Sequence, residues 1–550
     1  MTLFLKFLVA LLLVFTPFSF AATEPWAFSV LQGLLFAAWT LWLITHREIY
    51  YPSLFKPVAY VFAVLVVIAL VQSLFPQTLL DAVSWLHPIT LMRLYTLEHA
   101  CLFVTYLSIV LLTIQLFPSF DEVKQLLGLV VVNAVLVELC ALCFPHGEYI
   151  AKLTGVTKYS AAVGPFVNRN HAGMFFVLAS LASLGIFFTS QLRYRLQMGH
   201  HQRNAVLWQQ IILGVITGGL LISTVFTRSR GAMLSLLAGL FSYAFLCAWC
   251  VPDKLKKRLK GVFITLVLLI LASGWIYTHI PEINEFAHRS GGASAEIRQM
   301  MYASAEELLK QYPLWGIGIG ALPVAIPSYT AWDVHSYIER LHNDWLEITV
   351  GIGGIGACLV LLGLIWFACK ALNRLKRLET RKQFLFASIL SALLAMSCGS
   401  LVDFHFFIPG CALVFFVLLG TLLAPTFHKR HVHVIGLPIL VRILVWVLLV
   451  SSAWIPLQKT RCWRQFRLGS GLKVEGKLAA YEQGLAYYAG PRYALRLALA
   501  YYQAGTRSKD ELQKRRYLEL AHQTAQTYLK KYPKDKELSR MYIRAHRALY

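Results

Sequence analysis

Apolar runs of about 20 residues recur along most of this chain, and each is long enough to cross a bilayer as one helix. They fall at roughly 3–21, 26–45, 57–76, 99–118, 124–144, 171–190, 208–227, 231–251, 261–280, 345–369, 384–402, 408–425 and 435–456. The pattern predicts an all-α polytopic membrane protein with about 13 transmembrane helices. Composition agrees: 57% of the 550 residues are hydrophobic and only 14% charged, too little charge for a soluble chain of this length. Residues 3–21, with Lys6 before the apolar run and Phe20-Ala21-Ala22 after it, have the outline of a signal peptide. The second span follows at once and the segment lacks a clear small-x-small cleavage site, which favours a membrane helix.

Lys/Arg-rich loops set the orientation. Arg193, Arg195 and Arg203, the run DKLKKRLK from Asp253, the run NRLKRLETRK from Asn373, and Lys429 with Arg430 all fall on one side of the alternation. That side is read as cytoplasmic. The N-terminus is then cytoplasmic and the C-terminal segment lies outside the membrane on the other face. The chain divides into a membrane domain, 1–456, with a large outer loop at about 281–344, and a helical tail, 457–550. Apolar periodicity over 475–489, 491–505, 510–531 and 535–549, punctuated by Gly490-Pro491, Gly505 and Tyr532-Pro533, gives two helix pairs. They are similar to a tetratricopeptide unit. So few repeats need a surface to lean on, either the membrane domain or a protein partner.

The net charge of +24 does not imply nucleic acid, because no base-reading or stacking motif accompanies it. The tail holds about 20 Lys/Arg against about 7 Asp/Glu, and beside a bilayer this suits anionic lipid headgroups or an anionic glycan. Nine of the ten cysteines lie in apolar spans, so there is no disulfide framework.

Polar residues gather on the outer face, where the positive-inside rule disfavours them. Arg228 and Arg230 occupy a short turn, Arg169 precedes the sixth span, Arg298 lies on a predicted helix over 295–312, and Arg340 precedes His342. Guanidinium forks suit phosphate oxygens; snorkelling to lipid phosphate is the alternative. A neutral imidazole at His342 can take a proton from a sugar hydroxyl, with Asp344, Glu347 or Glu339 to orient it; a helix cap or hydrated surface group is the competing reading. Asn343 completes this cluster. A metal held by His335, His342, Asp333 and Asp344 lacks the usual ligand spacing. The glycines of PLWGIGIGAL, 313–322, either cradle a phosphate through backbone N–H groups or simply return the chain to the interface. Glu138 and Asn133 sit inside a span, and Asp403 and His405 mark an interfacial turn; intramembrane and interfacial carboxylates are functional suspects.

The series GPFVNRNHAG, TRSRGA, PLWGIGIGAL, RLHNDWLEITVGIGGIG and LVDFHFFIPG, in this order between apolar helices, resembles the O-antigen ligase family. That family includes lipopolysaccharide O-antigen ligases, O-linked oligosaccharyltransferases and some polysaccharide polymerases. FTPFSFAATEPWA is similar to its N-terminal pattern, and the likeness covers roughly residues 1–425. The resemblance implies a GT-C-like multi-pass protein of the bacterial inner membrane with its site and C-terminus in the periplasm. It implies inverting transfer, without metal or cofactor, of a glycan from an undecaprenyl-diphosphate carrier to an acceptor hydroxyl on lipid A-core, a protein or a glycan. Carried across, His342 is the general base. Arg228 or Arg230, Arg298 and Arg169 bind the donor diphosphate. Arg340, Asn343, Asp344, Glu347 and Asp403 are supporting candidates. Many members carry an acid nine positions after the histidine, where this chain has Gly351. A repeat-unit polymerase on the same carrier, a transporter of lipid-linked glycans and a binding scaffold are the rival readings.

Overall fold

A computed structural model describes residues 1–74, 90–145, 148–154, 162–196, 200–250, 281–326, 339–428, 432–531 and 535–549. Among the described residues, ten helices are long and apolar enough to cross a membrane. The first and twelfth expected spans are shorter apolar helices, Thr2–Phe18 and Pro409–Leu422. The ninth, 261–280, lies outside the described residues, as do Asp333 and His335.

Helix ends follow local chemistry. Ser119 caps Phe120–Cys143 in a reciprocal capping box with Glu122, whose carboxylate also takes Lys6 at 2.6 Å, so two helix starts are tied together. Proline opens Pro25–Thr45, Pro409–Leu422 and Pro491–Arg507, where its missing N–H costs nothing. The most buried span, Arg169–Ser190, packs against Arg230–Cys250 and Thr380–Gly399. At its N-terminal end Arg169 and Asn170 are half-buried.

Among the described residues one two-stranded sheet stands beside the helices. Glu48–Pro52 pairs antiparallel with Val432–Gly436, Glu48 opposite Gly436. This ribbon closes the end of the bundle where Lys370 donates to the Ser53 carbonyl and Arg374 to that of Phe427. His342 lies at the opposite end of the helix Asp344–Lys376, a length of roughly 40–50 Å.

That helix breaks at Gly353, φ +68° and ψ −177°. The Gly-rich loop fills the break. Ile317 N donates to Val350 O at 3.0 Å and Gly318 N to Gly351 O at 3.1 Å. Gly354 N returns a bond to Pro313 O at 2.7 Å, and Ile355 N one to Leu314 O at 3.1 Å. Gln72 Nε2 adds bonds to Trp315 O and Gly351 O at 2.7 and 2.8 Å. Broken backbone at membrane depth survives only when its polar groups are satisfied by protein, and this loop satisfies them. The phosphate-cradle reading of 313–322 is thereby corrected: the amides of Gly316, Ile317 and Gly318 are already spent on the carbonyls of Tyr312, Val350 and Gly351.

A single helix, Ile439–Ser470, carries the chain from its last apolar run into the tail. Val474–Tyr487, Pro491–Arg507, Glu511–Lys531 and Lys536–Leu549 follow. Their apolar faces bury Phe466, Tyr481, Ala498, Tyr501, Ala521 and Met541 in a core of their own. The tail rests at the His342 end of the bundle, where Arg492 pairs with Glu339.

Candidate active site

Four segments distant in sequence meet at this end. The central span begins at Arg169. The turn 227–229 joins Phe226 to Arg230, and Gly173 lies close enough that a Cβ there would strike Thr227 and Ala232. The turn 400–408 follows Thr380–Gly399. The non-helical stretch 339–343 precedes the helix that Asn343 caps through Leu346 N at 3.0 Å.

His342 Nδ1 lies 3.0 Å from Asp403 Oδ1. The partner is thus Asp403, and not Asp344, Glu347 or Glu339, of which helical spacing favoured Glu339. The reason is local: 339–343 is not helical and His342 itself sits at φ +54°, so i,i+3 neighbours do not share a face as they would on a helix. Asp403 Oδ2 accepts from Asn170 Nδ2 at 2.6 Å, and Oδ1 also accepts from the Phe404 amide at 3.0 Å. The imidazole is 30% exposed while the carboxylate is 4% exposed, so the ring can meet solute and its orienting group cannot. Burial pushes the Asp403 carboxyl up, but the hydrogen bond to His342 and the neighbouring imidazoles of His405 and His171 hold it well below the usual carboxylate range. Phe404 sits edge-on to both His342 and His171, with centroids 4.9 Å apart in each case.

Two residues here hold left-handed backbone without being glycine: His342 at φ +54° and Arg228 at φ +60°. Each costs about 1–3 kcal/mol and persists only where the surroundings over-determine it. Tyr302 Oη donates to the His342 carbonyl at 3.3 Å. Burial raises the Tyr302 phenol against the lowering effects of Arg298 and Asn343, so it remains a protonated donor. The periodicity that predicted a helix over 295–312 is matched by Pro281–Gln311, and Arg298 lies one turn from Tyr302.

The arginines separate into groups. Arg169 and Arg228 line one cavity of about 760 Å³, together with Glu138, Ser223, Phe176 and Phe226. Arg230 is exposed at the start of its helix, and neither it nor Arg298 lines that cavity. Arg340 does different work: it bonds Glu347 Oε1 at 2.6 Å and stacks on Phe407 at 4.1 Å, while Glu347 Oε2 takes the Leu341 amide at 3.1 Å. Asp344 is buried, its Oδ2 accepting from Phe406 N at 2.9 Å and its amide bonding Ser400 O at 2.8 Å, which locks the turn carrying Asp403. Gly351 has no room for the acid found there in many members of the family it resembles: its Cβ would lie 2.9 Å from the Ile319 Cα.

Asn170 and Tyr302 were missed by sequence reasoning. Asn170 had a signal, the polar run Asn-Arg-Asn-His at a helix start; Tyr302 had none beyond its place on an amphipathic helix.

His405 is buried, and burial lowers its affinity for a proton despite Asp403. The unfolded chain then binds more protons than the folded one just below the ordinary histidine range, so stability falls with acidification through that window. Melting in detergent should drop from pH 7.5 to 5.5, and a His405→Gln variant should lose part of that drop. An unchanged slope in the variant would assign the sensitivity elsewhere.

Residues 213–361 match the family model described as O-Antigen ligase. The match contains Arg228, Arg230, Arg298 and His342, and ends before Asp403. A comparison with curated proteins found no match.

Proposed function

The chain carries an O-antigen ligase family domain over 213–361, and from that premise we propose that it transfers a glycan from an undecaprenyl-diphosphate carrier to an acceptor hydroxyl. The observation that supports this most is the His342–Asp403 pair, bonded to Asn170, the residue after Arg169, whose cavity also holds Arg228. In this reading Asp403 accepts a hydrogen bond from Nδ1–H, which leaves the Nε2 lone pair for the acceptor. The acceptor oxygen attacks the anomeric carbon as its proton passes to Nε2. The bond from that carbon to the carrier diphosphate breaks on the opposite face, so configuration inverts and the diphosphate leaves with the electron pair. Arg169 and Arg228 meet the charge that develops there, and Arg230 and Arg298 serve a donor extending beyond the cavity. With the arginines supplying positive charge, neither metal nor cofactor takes part.

The membrane setting is read from charge. The cationic run from Asn373 lies at the ribbon end, so that end is cytoplasmic and His342 faces the periplasm of a bacterial inner membrane. The N-terminus is then cytoplasmic and the tail periplasmic. The basic, tetratricopeptide-like tail has the chemistry to meet anionic lipid or a protein partner.

Removing one arginine removes charge-assisted hydrogen bonds to the leaving group, worth about 1.5–3 kcal/mol each. Arg169→Ala and Arg228→Ala should therefore each lower kcat/KM for donor by roughly 10–150-fold in vesicles supplied with purified lipid-linked glycan. Wild-type rates in both variants would remove them from the donor site. The same assay separates ligase from polymerase: product released onto lipid A-core or protein supports the former, and lengthened glycan retained on the carrier supports the latter.

A further inference from the structure

Two independent links run from the tail to the stretch that carries His342. The first is direct: Arg492, in the first turn of Pro491–Arg507, pairs with Glu339, three residues before His342. The second is a relay. Tyr488 and Lys459 both donate to Glu98, Lys459 at 2.7 Å. The next residue, His99, places Nε2 3.3 Å from Arg340, with Nδ1 held by the Tyr95 carbonyl at 2.7 Å. Arg340 in turn bonds Glu347, which fastens the Leu341 amide. Leu94 and Tyr95 pack against both the tail core and the cluster around Leu341 and Leu322. Residues 339, 340 and 341 are thus each gripped, and the next residue is the one with strained φ.

We propose that the tail is a strap: Arg492 and Glu98 are positioning residues that hold 339–341 so that His342 keeps its left-handed backbone and its bond to Asp403. The inference rests on the reading of His342 as the base only for its consequence in catalysis; the strap itself is a claim about geometry. It gives the tail a role apart from recruiting a partner. The helix Ile439–Ser470 runs unbroken from membrane to tail, so the strap is anchored at one end by a membrane span and at the other by the outer loop.

The Arg492–Glu339 pair is half exposed, so its removal need not threaten the fold. Arg492→Glu and Glu339→Arg are compared with the double exchange in the full-length protein. Two quantities are read: hydrogen exchange of the amides 339–343, and kcat with KM for donor. Each single variant is expected to speed exchange and lower kcat by about fivefold with KM unchanged, and the double exchange to restore both. Unchanged exchange in the single variants overturns the strap, and so does a double exchange that restores nothing. Faster exchange with full transfer leaves the strap standing and counts instead against His342 as the base.

Discussion

Asp403→Asn lowers glycan transfer by a factor of about 10²–10⁴, the scale of a misassigned base in an orienting pair. Two side-chain donors converge on this carboxylate, the His342 ring from one side and the Asn170 amide from the other. An asparagine offers one carbonyl oxygen and one amide nitrogen, so it cannot accept from both. If its oxygen turns to Asn170, its NH₂ faces Nδ1, the ring must accept there, and the proton moves to Nε2, the nitrogen required for base action. If its oxygen turns to His342, two amide groups confront each other in a buried site and cost about 1–3 kcal/mol. The loss should appear in kcat rather than in KM for donor, because Asp403 is shielded from solute. Single-turnover transfer with saturating donor is the measurement; a variant that turns over like the wild type would remove Asp403 from the mechanism.

Gly353→Ala should damage the membrane domain severely with a single methyl group. An added Cβ would lie 2.3 Å from Leu314 O and 2.4 Å from Gly316 N, both backbone atoms of the loop that fills the helix break. Its dihedrals, φ +68° and ψ −177°, belong to a region essentially reserved for glycine. Strain and overpacking together cost about 3 kcal/mol or more, and the expected readout is loss of folded protein in detergent with a depressed melting temperature. Gly218→Ala is the control, since nothing lies within 4 Å of its Cβ; it should shift stability by no more than about 1 kcal/mol. Equal melting of the two variants would contradict the plugged break.

Much of this architecture was legible in the chain because its signals are local. Apolar runs locate spans, and Pro491 and Gly505 bracket a tail helix to within two residues of Pro491–Arg507. What escaped is non-local. The ribbon joins Glu48–Pro52 to Val432–Gly436 across most of the sequence, with no turn signal to announce it. The GIGIG run carried two physical readings, and only the carbonyls of Val350 and Gly351 decide between them. The orienting partner of His342 was sought among nearby acids, yet it sits 61 residues on, because the non-helical stretch 339–343 turns the ring toward the 400–408 turn. The chain also presents Arg169, Arg228, Arg230 and Arg340 without grouping them. Folding puts Arg169 and Arg228 on one cavity, leaves Arg230 exposed, and ties Arg340 to Glu347. Gly351 explains itself once Ile319 is seen lying across it.

The central claim is that His342 takes the acceptor proton beside a diphosphate held by other residues. It is tested most directly by comparing donor binding and transfer in His342→Ala, using the full-length protein in vesicles with purified lipid-linked glycan. The account predicts that donor still binds with wild-type affinity while transfer falls by about 10²–10⁴. Transfer at the wild-type rate in this variant would contradict it.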